Sequence, residues 1–376
     1  MSLKDILCQD KPISLLQRAY AHDKSSHAYI FAGLEGVGKF KTAIEWAKLL
    51  LCEDPVAGKK ESLHFTDSCG ACGSCRLFDA GSHPDFNHVY KELREFTKDG
   101  KGKAPPVELP IDVIREFLIE KVATRPTVSE RKVFVVSEAE KLNVSSQNCV
   151  LKVLEEPPEY CCIILLCTRL ERLLPTTKSR CQTIRFGPID LERITERLRE
   201  MGTDLKKARY FARLSGGSLG LACQWAELEL ADAGLYALKR NLVGSIANSE
   251  LPDALELAQQ SLDDSKRLAA AWSNLDKSTS RADLNRRAQK TLIQMVISVL
   301  HDVMTLDVMP AEILFNFDQQ EQVKKLANRL EAEQAAEKIA DCYEMLRWIE
   351  SGVNEKLIFE QLLLSLSVSD TMTPKQ

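Results

Sequence analysis

A glycine-rich turn near the N-terminus restricts this chain to a small group of folds. Residues 33–39 read Gly-Leu-Glu-Gly-Val-Gly-Lys, after the apolar residues 29–31 and before a helical pattern. Between a strand and a helix, this spacing lets backbone N–H groups and a lysine hold the phosphates of a nucleotide. Gly33, Gly36, Gly38 and Lys39 are therefore the candidate nucleotide-binding residues, and a parallel α/β sheet is predicted around them.

Two positions that nucleotide hydrolysis needs carry other residues. The residue after the lysine should be Ser or Thr, whose hydroxyl ligates Mg²⁺, but it is Phe40, and Thr42 lies about 200° further round the helix. A later strand ends in Ser137-Glu138, where an Asp-Glu pair would bind the metal and orient water. Because side chains alternate across a strand, Glu138 cannot replace that Asp. We expect little or no intrinsic ATPase; the loop either binds ATP or ADP without efficient hydrolysis or serves only packing.

Four of the 12 cysteines have the spacing of a metal site. Cys69, Cys72 and Cys75 form a C-x₂-C-x₂-C pattern, whose small intervening residues let three sulfurs converge on one tetrahedral ion. Cys52 ends the preceding helical pattern and is the natural fourth ligand. Four thiolates leave no open coordination position, so the pattern predicts a structural Zn²⁺ site; the alternative is four unligated thiols.

The chain divides into a mixed first half and a helical second half. Residues 133–136 and 163–166 are continuous apolar runs, which are typical of strands buried on both faces. Three short helical patterns follow from residue 191, and from residue 247 to residue 369 helical spacing continues with one glycine and two prolines. We predict an α/β P-loop domain over residues 1–187 with an inserted zinc module at about 52–80, a helical lid over 188–240, and an all-α domain over 241–376. Residues 91–110 are predicted to be a polar surface insertion, and 371–376 a frayed tail.

Charge and hydropathy exclude some classes of function. Lys and Arg number 50 against 54 Asp and Glu, a formal charge of -4, so no global basic field draws the chain onto nucleic acid. Any DNA contact must be local or shared with partners. The sequence has neither an apolar run of roughly 20 residues nor an export signal, so we expect a cytoplasmic protein without a membrane partner. Cysteines in such a protein are thiols or metal ligands.

Further motifs accompany the phosphate loop and the cysteine module. Ser179-Arg180-Cys181 lies on a short segment after a strand, where pattern alone would make the arginine an ordinary surface charge. The other motifs are Ser26-His27-Ala28-Tyr29, Gly81-Ser82-His83-Pro84-Asp85, and residues 132–136, 148–158, 173–182 and 354–364. Together, over nearly the whole chain, these residues resemble the clamp-loader subunits of bacterial DNA polymerase III, which belong to the AAA+ class.

The resemblance implies a role for Arg180 in a neighbouring subunit's active site. It would be an arginine finger acting in trans on the γ-phosphate of ATP, within an intact Ser179-Arg180-Cys181 motif. A planar, permanently charged guanidinium suits the charge that develops during phosphoryl transfer. The family's motor subunits also have an arginine after Gly-Ser-Leu in the lid, where this chain has Gly220. Phe40, Ser137 and Gly220 thus all disable the chain's own site, while the residue that serves another subunit is retained.

The resemblance also implies partners and an architecture. The first domain would be an AAA+ domain, and the C-terminal helices would form a collar that joins the gamma/tau and delta subunits. The complex would load the sliding clamp onto primer-template DNA in replication, and this chain would contact both only through the complex. No independent activity is expected, although such a subunit is part of a DNA-directed DNA polymerase holoenzyme.

Two other readings remain open at this point. One is a self-sufficient ATPase similar to gamma/tau, against which Phe40, Ser137 and Gly220 argue. The other is a zinc-containing module that binds nucleic acid through the cysteine cluster, which predicts salt-sensitive DNA binding by the isolated chain.

Overall fold

A five-stranded parallel sheet lies at the centre of the first half of the chain. In this computed structural model, which describes residues 2–60, 63–98, 106–277 and 279–367, the strand order is β4-β5-β6-β1-β7. The described residues form seven strands, two of them in a separate hairpin: β1 (Ala28–Ala32), β2 (Val56–Lys60), β3 (Leu63–Asp67), β4 (Phe86–Val89), β5 (Lys132–Val136), β6 (Cys161–Cys167) and β7 (Gln182–Arg185). Every residue of β1, β5 and β6 is buried, as continuous apolar runs require. The predicted parallel α/β core is confirmed.

Helices cover both faces of this sheet. The helices of this half of the chain are α1 (Asp10–Ala21), α2 (Lys39–Leu51), α3 (Gly73–Asp79), α4 (Ile111–Ile114), α5 (Glu120–Val122), α6 (Val144–Glu155) and α7 (Pro175–Ser179). Because strand side chains alternate, Tyr29 and Phe31 pack with Trp46 of α2 on one face, whereas Ile30 packs with Val150 of α6 on the other. A π-helical turn, Arg115–Ile119, joins α4 to α5.

An antiparallel hairpin of β2 and β3 forms, with α3, the predicted insertion after α2. The ends of the later insertion at 91–110 are attached to the sheet domain: Lys91 begins a 3₁₀ helix, Lys91–Phe96, and is buried, and Leu109 bridges to Leu142. Residues 99–105 of that insertion, and the tail at 371–376, lie outside the described residues.

The second half of the chain is helical, as predicted. Its helices are α8 (Leu191–Glu200), α9 (Leu205–Leu214), α10 (Leu219–Leu230), α11 (Leu235–Asn248), α12 (Ala254–Leu275), α13 (Arg281–Thr305), α14 (Gln320–Ala327), α15 (Ala332–Glu350) and α16 (Glu355–Ser367). Leu292 and Val296 of α13 and Phe359 and Leu362 of α16 lie in the apolar core that these helices share with their neighbours. No described helix combines the length and the apolar character that crossing a bilayer requires.

The chain separates into two compact units. Residues 1–190 with 217–220 form one, and residues 191–216 with 221–376 form the other. The helices expected for the lid and for the C-terminal domain share the second unit, so their division at residue 240 stays a prediction.

Candidate nucleotide, zinc and arginine sites

The predicted phosphate loop joins β1 to α2, as its sequence requires. Gly36 and Gly38 have φ angles of 75° and 102°, in the left-handed region that glycine adopts readily. Lys39, the first residue of α2, donates from Nζ to the carbonyl oxygens of Gly33 (2.7 Å) and Leu34 (2.5 Å). Its side chain is nearly buried, and this desolvation lowers the pKa of Lys39. The lysine therefore satisfies carbonyl groups of its own loop.

Residues 217–220 lie directly on this loop. The backbone N–H of Gly220 donates to the carbonyl oxygen of Gly36 at 2.9 Å. A Cβ atom at position 220 would lie 2.9 Å from the Gly36 Cα, and one at position 36 would lie 2.3 Å from the Ser218 Oγ. The two backbones can approach this closely only because both residues are glycine. From the sequence, Gly220 was interpreted only as the replacement of an arginine found in the motor subunits. Its contact with the phosphate loop was not predicted.

One side-chain cluster occupies both positions where metal ligands are missing. The Phe40 ring packs against the His88 ring with centroids 5.0 Å apart, and Tyr90 packs against the same imidazole at 4.8 Å. His88 Nε2 lies 2.8 Å from the hydroxyl of Ser137. Thr42 donates its hydroxyl to the Gly38 carbonyl at 2.9 Å and is buried in its own helix. The two substitutions inferred from separate motifs thus belong to one packed unit, and His88 is the residue that sequence reasoning missed.

The half-buried imidazole of His88 makes stability depend on pH. Desolvation lowers the pKa of His88 from 6.5 to about 4, so between these values the unfolded chain binds a proton that the folded chain excludes. We expect the free energy of unfolding to fall as pH decreases from 6.5 through 4, by on the order of 1–3 kcal/mol from this group. Urea unfolding at several pH values measures the slope.

The matched variants separate this group from the other histidines. In His88→Asn the slope should be shallower than in the wild type, whereas His22→Asn, which replaces an exposed histidine, should leave it unchanged. Equal slopes in the wild type and His88→Asn would contradict the assignment.

Two lysines engage the carboxylate that follows β5. Glu138 has a φ of 52° and forms ion pairs with Lys141 and with Lys91, the latter at 3.5 Å. Lys91 is buried, so this carboxylate has a fixed positive neighbour. Glu140 instead accepts hydrogen bonds from the backbone N–H and the hydroxyl of Thr168 at the end of β6. The pairing of Glu138 with Lys141, three residues away, could have been predicted from the sequence spacing. The pairing with Lys91 could not, because Lys91 is distant from Glu138 in the chain.

The structure brings the four predicted metal ligands together. The Sγ atoms of Cys52, Cys69, Cys72 and Cys75 all lie within 4.8 Å of one another. Cys52 Sγ is 3.6 Å from that of Cys69 and 3.9 Å from that of Cys72, and Cys69 and Cys75 are 4.0 Å apart. Four sulfurs at about 2.3 Å from a tetrahedral Zn²⁺ would be about 3.8 Å apart. The cluster therefore fits zinc in both donor type and spacing.

Backbone donors surround these sulfurs. The N–H groups of Ala71 and Cys72 donate to Cys69 Sγ at 3.4 and 3.3 Å and lower the pKa of that thiol to about 7. Cys69 N–H donates to Cys52 Sγ, and Cys75 N–H to Cys72 Sγ, both at 3.3 Å. Hydrogen bonds of this kind favour the thiolate, which is the form that binds a metal.

The histidine and aspartate of the Gly-Ser-His-Pro-Asp motif connect this module to the sheet. His83 Nε2 lies 2.9 Å from the hydroxyl of Ser74 in α3, and Ser74 donates to the Leu51 carbonyl at 2.6 Å. The carboxylate of Asp85 accepts three backbone N–H groups from residues 127–129. The motif thus anchors the zinc module to the end of α2 and to the loop before β5.

Arg180 lies at the C-terminal end of α7. Its Nη2 forms an ion pair with Glu155 Oε1 at 2.8 Å, its Nη1 donates to the Thr176 carbonyl at 3.1 Å, and 34% of its side chain is exposed. Ser179 donates its hydroxyl to the same Thr176 carbonyl at 3.0 Å. Cys181 packs against the sheet core, where desolvation raises the pKa of its thiol to about 12. The two flanking residues thus hold the turn, and Arg180 alone presents a charged group to solvent.

Two family models match the chain. The model described as "DNA polymerase III, delta subunit" matches residues 8–190, and "DNA polymerase III, delta subunit, C terminal" matches residues 266–367. DNA polymerase III subunit delta' of Bacillus subtilis is 24% identical over 95% of this chain and 96% of its own length. The delta' subunit of Escherichia coli is 27% identical, over 93% and 92%.

A second group of relatives, the tau subunits, aligns with this chain over less than half of its own length. DNA polymerase III subunit tau of Bacillus subtilis is 31% identical over 53% of this chain and 31% of its own length. The delta' subunits of Bacillus subtilis and Escherichia coli, in contrast, align over at least 92% of their own length, and the two family models together cover most of the chain. The chain therefore belongs to the DNA polymerase III delta' family.

Proposed function

We propose that this chain is a clamp-loader subunit that does not hydrolyse ATP itself and supplies Arg180 to ATP held by a neighbouring motor subunit. The observation that carries this proposal is the contrast between two sites. Phe40 and Ser137, joined through His88, stand at the positions of the Mg²⁺ ligands and offer no carboxylate there, whereas the Arg180 guanidinium is retained and partly exposed. A subunit built this way contributes to catalysis only across an interface.

The geometry of the chain's own loop supports the absence of hydrolysis. Lys39 donates to two carbonyls of the loop, Gly220 is hydrogen-bonded to Gly36, and Glu138 is paired with lysines. Hydrolysis needs a metal ligand beside the lysine and a carboxylate free to orient water. Because the loop retains its glycines and Lys39, we propose that it can bind a nucleotide but does not hydrolyse it.

The arginine has the chemistry for a role in trans. Its guanidinium has five N–H donors, of which the Thr176 carbonyl and the Glu155 carboxylate each take one. The remaining donors can meet phosphate oxygens as negative charge redistributes in the transition state. We propose that the neighbour is a gamma/tau subunit, that the C-terminal helices join it and delta in a collar, and that the sliding clamp and primer-template DNA are met through the complex.

The cysteine cluster has a structural role in this proposal. Cys52, Cys69, Cys72 and Cys75 would hold Zn²⁺, which when bound cross-links the end of α2 to the segment before α3. The ion would be fully ligated by protein, so it has no position open for substrate.

An ATPase assay on the purified chain tests the proposal against a self-sufficient gamma/tau-like enzyme. We expect the wild type and Lys39→Ala to hydrolyse ATP at the same background rate, because neither has a complete metal site. Robust turnover that Lys39→Ala abolishes would overturn the proposal.

Co-purification with the tau and delta subunits of the same organism, followed by native mass measurement, tests the assembly. A chain that remains alone with both partners present would contradict the proposed assembly.

A further inference from the structure

Helix α6 holds the segment that bears the arginine at two points. At the first point, the side chain of Gln147 accepts a hydrogen bond from the Leu174 N–H at 2.8 Å and donates to the Arg172 carbonyl at 3.3 Å. Gln147 is 3% exposed, so these bonds are shielded from water. They fix the chain where α7 begins.

The second point is the ion pair of Glu155 with Arg180. Glu155 is the last residue of α6, eight residues after Gln147, so two steps of four residues place both side chains on one face of the helix. Its Oε1 lies 2.8 Å from Arg180 Nη2, while the Thr176 carbonyl holds Nη1. The guanidinium is thus held from two sides at the end of α7 opposite to Gln147.

We propose that Glu155 is a positioning residue for Arg180: it holds the guanidinium in one orientation before the neighbouring subunit's ATP arrives. This inference rests on the proposed function of Arg180. An unrestrained arginine has several rotatable bonds whose freedom must be lost when it meets a phosphate, and a carboxylate that orders it beforehand removes part of that cost. Three N–H donors stay available for the phosphate.

The ion pair is suited to orientation and not to fold stability. Both side chains are partly exposed, and exposed ion pairs contribute little to the free energy of unfolding. Glu155→Gln should therefore leave the thermal midpoint of the isolated chain unchanged. Glu156→Gln is the matched control, since it removes the adjacent exposed carboxylate.

The isolated chain gives a test that needs no partner subunit. In the wild type, NMR of the Arg180 side chain should show slowed rotation about its Cζ–Nη bonds, and Glu155→Gln should restore fast rotation while Glu156→Gln does not. Identical Arg180 spectra in the wild type and Glu155→Gln would overturn the inference and leave the proposed role of Arg180 untouched.

The reconstituted complex tests the catalytic consequence. Glu155→Gln should lower kcat at the site that Arg180 serves roughly two- to tenfold, the cost of ordering one long side chain, with KM for ATP unchanged. Added to Arg180→Ala, Glu155→Gln should have no further effect, because it acts through the arginine. An equal loss in both backgrounds would overturn the inference. No loss in Arg180→Ala alone would overturn the proposed function and, with it, the catalytic part of this inference.

Discussion

In a reconstituted clamp-loader complex, Arg180→Ala should abolish most of the ATP turnover at the one site that the arginine serves. Arginine fingers accelerate phosphoryl transfer by about 10³ to 10⁵, because a fixed cation meets charge that develops only in the transition state. The other sites in the complex should continue to hydrolyse ATP. The total ATPase rate should therefore fall by the fraction that the affected site contributes. Clamp loading onto primed DNA, measured in the same preparation, should decline with it.

Two variants separate the finger from a general loss of charge. Arg180→Lys retains the positive charge but loses the planar fork, so it should recover only part of the rate. Arg125→Ala removes an exposed arginine from the loop before β5 and should leave turnover unchanged. The fold and assembly of Arg180→Ala should be intact, since its side chain makes only exposed polar contacts. Unimpaired clamp loading by Arg180→Ala would rule out the role.

Loss of one zinc ligand should have the second large effect, on the stability of the inserted module. Structural zinc contributes on the order of 10 kcal/mol or more to the folding of small zinc domains, because the site does not exist in the unfolded chain. In Cys72→Ser, metal analysis should find the bound Zn²⁺ largely lost, and limited proteolysis should cleave between residues 52 and 80. Cys8→Ser, which replaces an exposed cysteine outside the cluster, should retain the metal and resist cleavage.

The same variant distinguishes a structural module from one that reads nucleic acid. None of the four clustered cysteines belongs to the sheet core around Tyr29, Phe31 and Trp46, so this core should remain folded in Cys72→Ser. Weak DNA binding by the isolated chain should be equal in the wild type and Cys72→Ser. Salt-sensitive DNA binding that disappears in Cys72→Ser, with the sheet core intact, would favour the nucleic-acid module instead.

Local patterns were sufficient to predict the cysteine cluster, the glycine-rich loop between β1 and α2, and the buried strands. Cys69, Cys72 and Cys75 lie within seven residues, and their spacing alone predicts that the three sulfurs converge, as they do in the structure. The apolar runs at residues 133–136 and 163–166 are buried on both faces in the structure, as their composition predicts. In each case the residues that determine the structure are neighbours in the chain, so their geometry follows from backbone periodicity.

The contacts between distant segments could not be predicted from local sequence patterns. Phe40, His88 and Ser137 come together because β4 lies beside β5 in the sheet, with Val89 paired to Val136, and no local pattern specifies that strand order. The approach of Gly220 to Gly36 joins positions 184 residues apart. Glu155 and Arg180 meet because α7, whose start is held by Gln147, packs against α6. The residue types at each motif therefore indicated which chemical groups the chain has and which it lacks. The partners of each charged group depend instead on how the sheet and the helices pack. Such pairs are set by distances between segments, which spacing along the chain does not encode.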